Sequence, residues 1–247
     1  MSTFTESRIT FPGLFSKFDR VEIPIIQRDY AQGRKTAEDV RSGLLEAMFE
    51  ALDRVADDKS LPLDLDFVYG SITKTMDDGD EVVSFAPLDG QQRLTTLFLL
   101  HWFAAWMEGE GNQFREVYCH GAKSRFAYLV RPSATEFFDT LSGFFPNPTD
   151  VGDYKLSRFL EAQPWFFLYW KQDPTIQSAL VMLDAIQERF GASKGLYAKL
   201  TNELSPRITF EFLDIQQSGL SDDLYIKMNA RGKPLTAFEN FKAKLEQ

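Results

Sequence analysis

Cysteine and histidine are almost missing from this chain of 247 residues: Cys119 stands alone, and His101 and His120 are its two imidazoles. A single cysteine excludes an internal disulfide and agrees with a reducing compartment. With so few thiols and imidazoles, a structural zinc site, a metalloprotease-type helix or a histidine-based nuclease centre lacks ligands. A carboxylate-bound Mg²⁺ that keeps most of its water is still compatible. No apolar run reaches the roughly 18 residues of a membrane span, and Glu6, Arg8 and Pro12 break up the N-terminus, so no membrane partner and a cytoplasmic location are expected. A glycine-rich loop ending in Gly-Lys-Ser/Thr is also missing, which excludes a conventional P-loop enzyme. Positive charge is scarce as well. The formal net charge of -9 opposes a general DNA coat unless basic residues gather in one local cleft, but allows a small anion held by a few Arg, Gln and Asn side chains.

What the chain does have is apolar and aromatic bulk: 44% hydrophobic residues, 23 Phe and 4 Trp, enough for one sizeable globular core. Taken in order, residues 1–20 suggest an extended arm and a short helix over 14–18. A β-branched run from Val21 to Ile26 predicts a strand that delivers Gln27, Arg28, Asp29 and Tyr30 at its exit. Thr36 is placed to cap a helix over 37–55. Residues 65–74 and 81–86, separated by Asp77-Asp78-Gly79-Asp80, predict a β-hairpin. Its second strand feeds Leu88-Asp89-Gly90-Gln91-Gln92-Arg93 and then a helix to about Met107, apolar nearly all round and therefore expected between other elements. Helices are predicted over 134–141 with Ser133 as cap, over 153–162, over 175–190 behind Pro174, and over 194–204; the aromatic stretch 164–170 is expected to be core. A strand over 207–215 follows. Ser221 then caps a helix stopped at Asn229 and Gly232, with another helix starting under Thr236.

The stretch 88–93 admits two readings. In one, Asp89 is an ordinary helix cap, Arg93 its i,i+4 partner, and the helix merely packs. In the other, the free N–H groups of the first helical turn, together with Gln92 and Arg93, form a corner for a phosphate or another anion. The turn at Asn229, Arg231 and Lys233 by itself reads as structural.

Three polar clusters, 23–30, 88–94 and 228–235, together resemble the N-terminal domain of GmrSD-type modification-dependent restriction enzymes, a branch of the ParB/sulfiredoxin-like superfamily. Phe67-Val68-Tyr69-Gly70-Ser71-Ile72 is similar to the strand that precedes the family's second motif, and the likeness spans residues 20–245. Residues Ala31-Gln32-Gly33 stand where many relatives carry a Trp. The resemblance implies an α+β fold: a small mixed sheet of ParB/sulfiredoxin-like type in a single nucleotide-binding domain over 1–247, helix-rich overall, with a helical insertion at about 110–205. It further implies a cleft where the motifs meet, a nucleoside triphosphate as ligand, and a DNA-cleaving domain or subunit as partner, DNA being met indirectly or through a local cleft. Relatives are usually longer, so a fragment is expected, and a homo-oligomer is left open. Carried over by residue, Gln27, Arg28 and Tyr30 fall on the first motif, Asp89, Gly90, Gln91, Gln92 and Arg93 on the second, and Asn229, Arg231, Gly232 and Lys233 on the third.

The chemistry of these residues fits phosphoryl transfer, which needs positioning and charge neutralisation more than covalent help. Arg28, Arg93, Arg231 and Lys233 would supply positive charge, and the N–H groups near Gly90 and Gln91 would cradle an oxygen. Gln92 would orient water or phosphate, and Asp89 would hold Mg²⁺ or act as base. The leading expectation is a nucleotide-binding, NTP-hydrolysing regulatory domain of an antiphage restriction system, without nuclease activity of its own. Two alternatives are a DNA-sensing or nicking module and an inactive interaction scaffold. For nicking, the nearest metal-nuclease pattern, Asp66 with Ile72-Thr73-Lys74, has Ile where a second carboxylate should stand.

Overall fold

The computed structural model describes residues 7–24, 30–54, 61–77, 79–129 and 131–214. Strands are β1 (Ser7–Ile9), β2 (Arg20–Ile23), β3 (Leu63–Asp77), β4 (Asp80–Pro87), the short pair β5 (Cys119–His120) and β6 (Lys123–Ser124), β7 (Phe126–Tyr128) and β8 (Ile208–Asp214). Helices are α1 (Phe11–Lys17), α2 (Glu38–Asp53), α3 (Gln91–Glu108), α4 (Gly111–Tyr118), α5 (Pro132–Gly143), α6 (Leu156–Glu161), α7 (Pro174–Phe190) and α8 (Leu196–Thr201). The fold is α+β, with a mixed six-stranded sheet in the order β1-β8-β3-β4-β2-β7. Segment 110–205 supplies α4 to α8 and also one strand of this sheet, β7, which runs parallel to β2.

The long strand β3 organises the sheet. Its first half pairs in parallel with β8, its second half antiparallel with β4, and both neighbours end at its middle: Gly70 is in register with Asp214 of β8 and with Pro87 of β4. β2 and β7 run parallel to β4, so their carboxyl ends lie on the same side as Pro87. In open α/β sheets, ligands favour the crevice outside the carboxyl ends of the strands. The chain enters the first motif after β2, the second after β4, and the segment leading to the third after β8.

Behind this edge stands α3. Every residue from Leu94 to Trp106 is buried, so the helix shows no solvated face and is held on all sides by apolar contact. Its two indoles also find acceptors: Trp102 Nε1 donates to the Leu141 carbonyl (2.7 Å) and Trp106 Nε1 to the Pro146 carbonyl (2.8 Å). Arg125, just before β7, donates to the carbonyls of Phe15, Phe18, Asp19 and Val117, tying α1, the start of β2 and α4 together.

Several local expectations need correction. Thr36 does not cap α2; it lies in a 3-10 turn, Lys35–Ala37, and the N-cap is Ala37. The first helix starts earlier than expected, because the Thr10 hydroxyl accepts from Gly13 N–H and Pro12 suits a first turn. The helix expected from Asp153 begins only at Leu156. Its first turn is capped from afar, the Asp184 carboxylate accepting from Ser157 N–H (2.8 Å). Ser133 lies inside the first turn of α5, not at its cap, and its hydroxyl donates to Asp173. The aromatic stretch is only partly core: Phe166 and Trp170 are buried, whereas Phe167, Leu168 and Tyr169 are exposed.

Candidate functional site

β4 ends at Pro87 and α3 begins at Gln91, so residues 88–90 make the whole crossing. The turn is bolted to β3: the N–H groups of Leu88 and Asp89 both donate to the Tyr69 carbonyl, at 2.8 and 3.1 Å. Gly90 then takes φ +81°, and a Cβ there would meet Val68 Cγ2 at 2.6 Å. Backbone handedness and close approach thus each require glycine at this position.

Asp89 is not the cap that the sequence suggests. The N-cap of α3 is Gly90, which has no side chain with which to cap the first helical turn. The left-handed glycine sits between Asp89 and the helix and leaves the carboxylate one residue outside the capping position. Asp89 keeps an ion pair with Arg93 at 3.7 Å, and its side chain is 53% exposed. Such an exposed i,i+4 pair is worth about 0.5 kcal/mol or less.

The other members of the motif have heavier structural duties. Gln91 Nε2 donates to the Pro87 carbonyl (2.8 Å) and closes the turn on itself. The Arg93 guanidinium donates to the carbonyls of Leu65 and Phe67. Those carbonyls flank Asp66, whose φ of +65° marks the bulge where the β3–β8 register shifts. Arg93 therefore fastens an irregular strand while leaving its charge beside Asp89. Asp66 lies at this bulge and is exposed.

Tyr30 is wholly buried, and its hydroxyl lies 2.6 Å from Thr96 Oγ1 on the second turn of α3. Burial holds its phenol well above the usual tyrosine range. It thus joins the end of the first motif to the helix of the second from beneath, with no face open to solvent. The next residues complete the join. Gln32 N–H donates to Gln92 Oε1 (3.0 Å), and Thr96 Oγ1 lies 3.0 Å from both Gln32 Oε1 and the Gln92 carbonyl. Thr95 repeats the pattern, donating to the Gln91 carbonyl (2.9 Å) and meeting the Tyr128 hydroxyl at 2.8 Å.

Among the described residues, then, Tyr30 and Asp89 through Arg93 come together at one corner. Gln27, Arg28, Asn229, Arg231, Gly232 and Lys233 lie outside the described residues. The sequence reading missed Gln32, Thr95 and Thr96. The Thr-Thr pair inside an otherwise apolar helix was the available signal, since buried hydroxyls need partners. No group of three or more His, Cys, Asp or Glu side chains gathers into a metal cage among the described residues. Cys119 is no nucleophile candidate, because burial pushes its thiol up to about 11.

The polar turn 88–93 thus stands at a strand-to-helix junction, at the carboxyl ends of β2, β4 and β7, in an α+β domain. The chain matches the family described as GmrSD restriction endonuclease, N-terminal domain, over residues 11–246, and it belongs to that family. Membership ties it to a restriction system and to the nuclease domain of that system. No curated protein matches the chain significantly. No helix among the described residues is long and apolar enough to cross a membrane.

Proposed function

We propose that this domain binds a nucleoside triphosphate at the Asp89–Arg93 corner, hydrolyses it, and thereby regulates the nuclease of its restriction system. The observation that carries the reading is Asp89 itself. It is a carboxylate at the mouth of an 18-residue helix that neither caps that helix nor contributes more than a weak exposed ion pair to the fold. Gly90, Gln91 and Arg93 hold the turn and the strand beside it.

The start of α3 behind Gly90, a cap without a side chain, would offer a seat for a phosphate oxygen. The Arg93 charge, fixed by its two carbonyl partners, lies on the same side as Asp89 and offsets negative charge nearby. A carboxylate beside a polyphosphate is unfavourable without a cation, and one Asp oxygen plus ligand phosphates is a common way to hold a mostly hydrated Mg²⁺. Asp89 fits that role as one exposed carboxylate, and bound Mg²⁺ would supply charge neutralisation. Asp89 would then also orient or deprotonate the attacking water.

Calorimetric titration of the chain with purine and pyrimidine triphosphates, with Mg²⁺ and with chelator, tests the binding step. Saturable binding with Mg²⁺, weakened by the chelator, is expected. Absence of binding under both conditions sinks the proposal.

A further inference from the structure

α2 turns one stripe towards the core, on which Leu45, Met48 and Leu52 follow at helical spacing. One turn before Leu45, on the same stripe, stands Arg41, which is only 7% exposed. Arginine is rarely so placed without a carboxylate, because a guanidinium taken out of water must find its partners inside the protein. Among the described residues no carboxylate pairs with this one, and its Nε–H is buried without an acceptor.

What the guanidinium does reach is the turn behind the candidate site. Its Nη1 donates to the Arg34 carbonyl at 2.9 Å and lies 3.5 Å from the Gln32 carbonyl. Gln32 N–H is in turn bonded to Gln92 in the first turn of α3, so a single residue separates Arg41 from the second motif. The charge also acts on the buried Tyr30 hydroxyl: burial raises that phenol, and Arg41 pulls it the other way. α7 backs the turn from behind, since a Cβ at Gly33 would stand 2.0 Å from the Ser178 carbonyl oxygen. Two main-chain carbonyls offset part of one positive charge, but they bring no negative charge and leave Nε unanswered. Packing alone would be served as well by an aliphatic side chain.

We infer that Arg41 is an anion-binding residue at the back of this corner, contributed from outside the three motifs: its guanidinium takes an oxygen of a polyphosphate as its missing partner. A guanidinium fork matches phosphate oxygens in both charge and geometry. Arg93 spends its bonds on two strand carbonyls, whereas Arg41 keeps a buried donor to give. The inference deepens the nucleotide reading and rests on it for the nucleoside, but not for the anion.

NMR of the arginine Nε–H groups in the whole chain tests this, with the Arg41 resonance assigned by its loss in Arg41→Lys. The two probes are inorganic tripolyphosphate and a non-hydrolysable purine triphosphate, each with Mg²⁺. Both are expected to shift the Arg41 resonance saturably and to slow its hydrogen exchange at least about tenfold. Arg41→Lys keeps the charge but loses Nε–H and the fork, and is expected to bind both probes at least about tenfold more weakly; Arg41→Met should bind them more weakly still. A resonance that moves with neither probe, or unchanged affinity in both variants, overturns the inference. If tripolyphosphate moves the resonance and the nucleoside adds nothing to affinity, the anion site stands and the nucleotide reading fails. If the triphosphate binds without moving it, the nucleotide reading stands and Arg41 is no more than an anchor for the turn, which overturns the inference.

Discussion

At the scale of single residues, the second motif divides its labour in a way that its letters do not reveal. Gly90 carries the sharpest constraint. Gly90→Ala would meet both the positive-φ penalty and the contact with Val68 at 2.6 Å, and should destabilise the fold by roughly 2–4 kcal/mol. Denaturant unfolding checks this, and pairing it with Val68→Ala in a double-mutant cycle should recover the steric share but not the backbone share. His101 makes a second residue-scale prediction. Its Nδ1 lies 2.7 Å from the Leu97 carbonyl and so carries the proton. Burial lowers its pKa to about 4, against the pull of the Leu97 and Leu200 carbonyls. The unfolded chain takes up a proton below about pH 6.5, whereas the folded chain does not until about pH 4. The neutral ring thus contributes stability that is fully present above pH 6.5 and lost as pH falls towards 4, by up to about 3 kcal/mol. His101→Phe should flatten that part of the stability profile relative to the wild type, as measured by urea unfolding at a series of pH values.

At the scale of elements, the sequence is legible where a signal is local and strong. The β3–β4 hairpin follows from alternation around an Asp-Gly turn, and α3 follows from its largely apolar run ended by left-handed Gly109. The start of α7 follows from Pro174, with Asp173 accepting from Thr175 and Ile176 as its cap. Illegible were duties set by partners far along the chain. Arg93 reads as the i,i+4 mate of Asp89, but its main partners are carbonyls 26 and 28 residues away at a bulge that no local pattern announces. Asp89 reads as a cap, and only the handedness of Gly90 shows that it is not. The turn at Ala31, Gln32 and Gly33 joins α2, α3 and α7, which no local pattern announces. Gly33→Ala should therefore act at a distance. With Ser178 backbone in the way, the loop must shift, costing about 2 kcal/mol or more, and triphosphate affinity should fall together with the protection of Gln32 N–H. A thermal-shift series read beside binding isotherms checks whether the two effects move together.

At the scale of the whole molecule, three features point the same way. β4 and β8 end on opposite sides of Gly70, β2 and β7 end on the side of Pro87, and α3 starts there behind Gly90, a cap without a side chain. Net charge is -9, so an anionic ligand must be drawn by local groups and not by the overall field. Such focused recognition suits a small nucleotide better than a DNA duplex, for which counterion release over many phosphates would be needed. Family membership ties the chain to a restriction system, and in the proposed reading a small-ligand domain would act there as the control on cleavage carried out elsewhere. The claim on which this account turns is that Asp89 serves chemistry and not folding. It is tested most directly by Mg²⁺-dependent phosphate release from a triphosphate by the wild type and by Asp89→Asn, each with its melting temperature recorded. The account predicts release by the wild type and a loss of about a hundredfold or more in Asp89→Asn, with melting temperatures nearly equal because the exposed ion pair contributes so little. Equal release by both proteins, no release by either, or a large fall in the melting temperature of the variant would contradict it.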